Sequence, residues 1–262
     1  MYWIYDIPNW LFGLLTVAVF VAFGLAGLFA TRRWVGRLHR SQSHNDIVGF
    51  YLAAVTVFYG ITLGLLAVGT WTTYSDVERR VDHEATALGV LYRDLQGYPD
   101  PVRSVLQEDL RQYTRQVIDV GWPQQRQGII PTGASAILSK FQTDFLQFDP
   151  TTSGERVVQG EAYHHFDLLV ENRRARLDSV TAGLSGPLWT LVLVGALLSI
   201  ALTWFFALES LSMHCWMTII LSALLGLMIF LVAAMDNPFR GKISVSPEPL
   251  ERVYEQLMKL GR

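Results

Sequence analysis

VFYGITLGLLAVGTWTTY, residues 57–74, holds no charged side chain, yet it contains three glycines, a tryptophan and two tyrosines. The charge-free stretch around it runs from 47 to 75. As a helix that stretch is roughly 43 Å long, against a bilayer hydrocarbon core of roughly 30 Å, so it reads as a membrane span that continues into water without a break. Gly60 and Gly64 form a small-xxx-small pair, and with Gly49, Gly69 and the alanines 53, 54 and 67 they let another backbone approach closely. Trp71 and Tyr74 suit the layer where a helix leaves lipid. Val57, Ile61 and Leu65 recur every four residues, so a symmetric ring of such helices would stack three apolar rings into a narrow neck. Ordinary packing against the chain's own spans uses the same spacing.

Working outward, the 262 residues are 51% apolar and only 17% charged, too little polar surface for one large soluble globule. Segments 10–31, 179–208 and 210–235 also lack charge, whereas 76–178 is densely ionic. The start, MYWIYDIPNW, is acidic and aromatic, so the first apolar run is expected to be retained as a span rather than cleaved. Trp3, Tyr5 and Trp10 suit its interfacial belt. The expected fold is an all-α membrane protein with four transmembrane helices, about Trp10 to Ala30, Ile47 to Trp71, Pro187 to Phe206 and Cys215 to Ala234. We divide it into residues 1–71 with the first two spans, a soluble helical domain over 72–186, spans three and four over 187–234, and a tail over 235–262.

Past Tyr74, apolar residues at Val77, Val81, Ala85, Leu88, Tyr92 and Leu95 make one helical stripe. GYPDP, Gly97 to Pro101, is expected to stop that helix, with Asp100 capping the next. The second soluble helix carries Val105, Leu106, Leu110, Tyr113 and Val117 and should end at GWP, Gly121 to Pro123, before a loop over 124–133. Helices bearing Ile137, Phe141 and Phe145, and then Phe166, Leu169 and Arg173, follow. In the tail, Ser246 and Pro247 open a helix whose apolar face is Leu250, Val253, Tyr254, Leu257 and Leu260, packed on its own domain or on a neighbouring subunit.

No span has a charged residue in its interior, which disfavours ion-coupled active transport. His214, at the edge of span four, reads as an interfacial or loop histidine. Asp46 begins span two and could ring a pore mouth, or act with Asn45 as a helix cap. Arg79 and Arg80 lie past the other end, where they could draw anions, among Asp76, Glu78, Asp82 and Glu84. Arg173, Arg174 and Arg176 could do the same or pair with acids of the adjacent helix. His164 and His165 point about 100° apart on a helix, and the lone Cys215 has no partner, so no metal site and no cofactor are expected. Nor is nucleic acid or an enzyme activity, since no phosphate loop, nucleophile elbow or metal motif is present. The basic loop Thr31 to Asn45, with Arg32, Arg33, Arg37 and Arg40, is balanced by arginines near the membrane on the opposite side, so charge does not set the orientation.

YGITLGLLAVGTWTTY resembles the second span of bestrophin channels, and Asn237, Pro238, Phe239 and Gly241 are similar to the Asn-Pro-Phe-Gly run that follows their fourth span. The chain as a whole, through NDIVGFY, EATALGVLYRDL and DNPFRGKISVSP, looks like the bacterial bestrophin-like domain family. That resemblance implies a homopentameric channel in the inner membrane, passing small ions, chloride favoured, through a neck lined by Val57, Ile61 and Leu65, with the soluble domain and both termini cytoplasmic. Where bestrophins follow this motif with calcium-clasping aspartates, this chain has Arg240, Lys242, Ile243 and Ser244, so calcium gating of that kind is not expected. The competing reading is a membrane-anchored sensor or scaffold whose helical domain binds a partner while no ion moves.

Overall fold

The structure, a computed structural model, describes residues 7–38 and 42–259, with side chains of 36–38 and of 42 and 43 left aside. Trp3, Tyr5, Arg40, Leu260 and the Arg37 side chain therefore lie outside it. The helices in chain order are α1 (Asn9–Leu38), α2 (Gln42–Asp94), α3 (Val102–Arg115), α4 (Trp122–Arg126), α5 (Gly133–Leu146), α6 (Ser153–Asp178), α7 (Gly186–Thr203), α8 (Leu211–Met235) and α9 (Glu248–Val253). The described residues form no strand. Helices α1, α2, α7 and α8 are long and apolar enough to cross a membrane. The chain is an all-α, multi-pass membrane protein.

It divides into two compact units, one of residues up to Thr72 with Gly183–Asp236 and Gly241–Ile243, the other of Thr73–Ala182, Asn237–Arg240 and Ser244 onward. Within the first, α1 and α8 pack along their length through small residues. A Cβ added at Gly24 would meet Ser222 Oγ at 2.5 Å, and one at Gly27 would fall inside the Trp204 ring at 2.0 Å. Trp204 itself donates from Nε1 to Gly24 O at 2.9 Å. The core of this unit gathers Phe20, Tyr59, Leu63, Val192, Ala196, Ile200, Leu225, Ile229 and Val232. His214, in the first turn of α8, is buried with Nε2 donating to Thr203 O at 2.8 Å, so of its two readings the loop residue is corrected. It answers an orphan carbonyl at the end of α7, where a helix has no backbone donor left to offer.

The stretch 31–45 is also helical where it is described, because α1 continues to Leu38 and α2 already starts at Gln42. Asn45 and Asp46 thus sit inside a helix and cap nothing. Asn45 bridges instead to the link after α7, Nδ2 donating to Ala207 O and Oδ1 accepting from Ala207 N.

In the second unit the stripe Val77, Val81, Ala85, Leu88, Tyr92 and Leu95 is buried throughout, together with Leu106, Leu110, Tyr113, Phe141, Phe145, Phe166 and Leu169. Thr152 and Glu155 form a reciprocal capping box that opens α6. Two expectations fail here. The helix of α3 does not end at GWP: a π-helical turn over Gln116–Gly121 carries it into α4 as far as Arg126. Pro123 then falls in the first turn of the resumed α-helix, where its missing N–H costs no bond. Val105 leaves the apolar face expected of α3 and stands 43% exposed. Pro101 holds the cap position, and the Asp100 carboxylate beside it serves the first turn as expected, accepting from the Ser104 backbone N–H and from Ser104 Oγ at 2.6 Å, and pairing with Arg103. The tail packs on its own domain: Leu250 and Met258 are fully buried, Arg111 Nε donates to Met258 O at 3.0 Å, and Arg115 lies over the Tyr254 ring.

Candidate ion pathway along the second helix

Helix α2 buries a single stripe in the membrane unit, Val48, Tyr59, Leu63 and Thr70. Tyr59 sets its azimuth, donating from its hydroxyl to Val192 O at 2.7 Å while its ring rests where a Cβ on Gly195 would stand, 2.4 Å away. Two residues on is about 200° round a helix, so Ile61 points away from the face that Tyr59 and Leu63 hold against α7. Accordingly Val57, Ile61 and Leu65 are 59%, 59% and 70% exposed. Gly60, Gly64 and Gly69 have nothing within 4 Å of an added Cβ. Unlike Gly24, Gly27 and Gly195, they make no close packing inside their own chain. The threonine hydroxyls Thr62 and Thr72 on the exposed part of the helix give their hydrogens to Phe58 O and Val68 O, so neither offers a free donor there.

Asp46 is exposed near the start of α2. At the other end the two arginines part ways. Arg79 pairs with Asp76 on the surface of the helix. Arg80 instead bonds through Nη1 to Ala175 O at 3.1 Å and Ser179 Oγ at 3.4 Å. The structure does not bring Asp46 together with either arginine.

A polar cluster inside the soluble unit is the feature that sequence reasoning only half found. Glu84 and Arg176 are both fully buried, with Nε to Oε2 at 2.6 Å and Nη2 to Oε1 at 2.9 Å. Tyr113 donates to Glu84 Oε1 at 2.9 Å, and Arg176 Nη1 donates to Gln125 Oε1 at 2.7 Å. The guanidinium also lies over the Trp122 ring, 5.3 Å from its centroid. Burial pushes the Tyr113 hydroxyl well above its ordinary range, with the Glu84 charge adding to it. Burial alone would pull Arg176 down, but the charge and hydrogen bonds of Glu84 outweigh it and hold the guanidinium above its usual value. The signal was present in the register: Val77, Val81, Glu84, Leu88, Leu91 and Leu95 step by four and three, so the glutamate stands in a core row.

His165 Nδ1 lies 2.7 Å from Asp94 Oδ2, and the described residues contain no group of histidine, cysteine and carboxylate side chains that could hold a metal ion. After α8, Asp236 accepts from Leu184 N and from Trp189 Nε1 at 3.1 Å. Phe239 is buried against Trp122, ring centroids 5.8 Å apart, and Arg240 Nη2 donates to Gln127 O at 2.9 Å.

The chain matches the Bestrophin-like domain over residues 18–250. Its fold is similar to crystal structures of a bacterial bestrophin homologue from Klebsiella pneumoniae. One, carrying a point mutation, superposes with a TM-score of 0.70 at 13% identity, covering 95% of this chain and 99% of that one. Another, solved by Zn-SAD phasing, gives 0.66 at 14% identity over 94% and 98%. Among curated proteins none matches the chain. With the domain matched over most of its length and the four-span helical fold in place, this membrane protein belongs to the bestrophin-like family.

Proposed function

We propose that the protein is an ion channel assembled from identical chains, five in keeping with its family resemblance, whose copies of α2 surround a dry neck of Val57, Ile61 and Leu65. The observation that carries this reading is the asymmetry of α2. One stripe is fixed on α7, and the opposite face is apolar, exposed and flanked by glycines with open space. A face of that kind at membrane depth suits an axis shared by copies, with Gly60 and Gly64 admitting the neighbouring helix.

An apolar constriction discriminates by the cost of dehydration and favours weakly hydrated ions, so small anions such as chloride are the proposed cargo. Arg79 lies about five turns beyond Ile61 and so shares its register along the continuous helix. It is the mouth residue on that side; Arg80, already bonded within the soluble unit, supports the wall, and Asp46 stands at the opposite mouth. In this reading the soluble unit and both termini are cytoplasmic, at the inner membrane.

The test has two stages. Subunit stoichiometry in nanodiscs should give a ring of five, and a monomer or dimer would exclude the shared neck. Ile61→Ser should then raise anion flux into proteoliposomes several-fold by wetting the constriction. Unchanged flux in vesicles that already conduct would remove Ile61 from the pathway.

A further inference from the structure

Beside the Glu84–Arg176 pair the soluble unit has a partly open cavity of about 10 Å³, whose lining includes Gln116, Gly121, Gln125, Gly133, Arg173 and Arg176. That is room for one water-sized ligand. Gln125 is fully buried and its amide is oriented without ambiguity. Oε1 accepts from Arg176 Nη1, and a guanidinium only donates, so the other arm must be the NH₂ group. This Nε2 is buried and lacks any hydrogen-bond partner. Leaving such a donor unmade costs about 1–3 kcal/mol, so the site calls for something that accepts.

The remaining chemistry narrows what that is. No carboxylate lines the cavity. Arg176 is neutralised by Glu84, but Arg173 donates to Ser135 Oγ at 2.7 Å and, among the described residues, forms no ion pair. A water would bring two hydrogens that themselves need acceptors. A monatomic anion only accepts, and it can pair directly with the half-buried Arg173 guanidinium. One wall is the π-helical turn Gln116–Gly121, an irregularity that recurs at functional sites. It brings the Gln116 amide so near Gly133 that a Cβ there would meet Nε2 at 2.6 Å.

We propose that this cavity is a binding site for a monatomic anion of the chloride class, held by the Gln125 amide and the Arg173 guanidinium. The site is separate from the proposed neck, and its test reads stability rather than flux, so either can fail alone. Full-length protein in detergent is heated in sodium chloride and in sodium gluconate at equal ionic strength, gluconate being too large for the cavity. Chloride should raise the Tm by about 2 °C or more and saturate as a single site. Arg173→Gln should keep its gluconate Tm and lose the chloride increment. Equal Tm values in the two salts, or an increment that Arg173→Gln retains, would overturn the proposal. Crystals of the unaltered protein grown in bromide give a readout that no variant's folding can confuse: an anomalous peak between Gln125 and Arg173 supports the site, and a water there without bromide signal sinks it.

Discussion

On one continuous helix, Leu65 is 70% exposed while Leu88, some six turns further along, is fully buried. The first half of α2 satisfies one stripe with its own chain and leaves its other apolar faces open. The second half closes its apolar face inside a core of its own unit and places one carboxylate there, Glu84 on Arg176. The contrast separates two kinds of stability. A unit with its own core holds itself together, whereas open apolar faces at membrane depth are covered by lipid or by further copies.

The comparison is broken most forcefully at the buried pair. Arg176→Met leaves the Glu84 charge in a dry interior, and denaturant unfolding followed by tryptophan fluorescence should show a loss of about 3–5 kcal/mol. Adding Glu84→Met removes the stranded charge, so the double variant should recover most of that loss. A double variant as unstable as the single one would mean that the packing of the guanidinium on Trp122, rather than the charge pair, sets the cost.

Two glycines sharpen the distinction between packing within a chain and packing between chains. Gly195→Ala drives a methyl into the Tyr59 ring and should destabilise the membrane unit by about 1–3 kcal/mol, read as a lower Tm. Gly64→Leu meets nothing in its own chain, so monomer stability should change by no more than about 0.5 kcal/mol. The same substitution should dissociate the assembly, a loss measured by mass photometry or light scattering.

The smallest expected effect is at the surface of the soluble unit. The Glu155 carboxyl is held below its ordinary value of 4.5, first by the backbone N–H of Thr152 and then by that of Thr151. A depressed folded value means that its contribution is complete above 4.5 and disappears as the pH falls through the lower folded value. Glu155→Gln should therefore slightly flatten the acid limb of a Tm-against-pH curve and leave the neutral Tm nearly unchanged.

Much of the fold was legible because its causes are local. Each long uncharged run needs only its own length to be recognised as a span, and the core row from Val77 to Leu95 needs only the helical period. The errors fall where a distant group overrules a local signal. Pro123 reads as a terminator, but the π-helical turn before it shifts the hydrogen-bond register. His214 admits a loop reading because nothing near it in sequence explains a buried imidazole, and its partner is the carbonyl of Thr203 on another helix. Of the candidate pathway, the four-residue spacing of Val57, Ile61 and Leu65 was visible, but that spacing alone cannot tell an open face from a packed one.

What the sequence determined by itself is a four-span helical chain with an ionic helical unit between the second and third spans, because hydrophobic length and periodicity are properties of contiguous residues. Only the tertiary structure decided that Gly195 is filled by Tyr59 while Gly60 and Gly64 stand open, and that Arg176 reaches Glu84 across the core. Those outcomes depend on which helix faces meet, and segments far apart in the chain acquire facing surfaces only once the helices have packed.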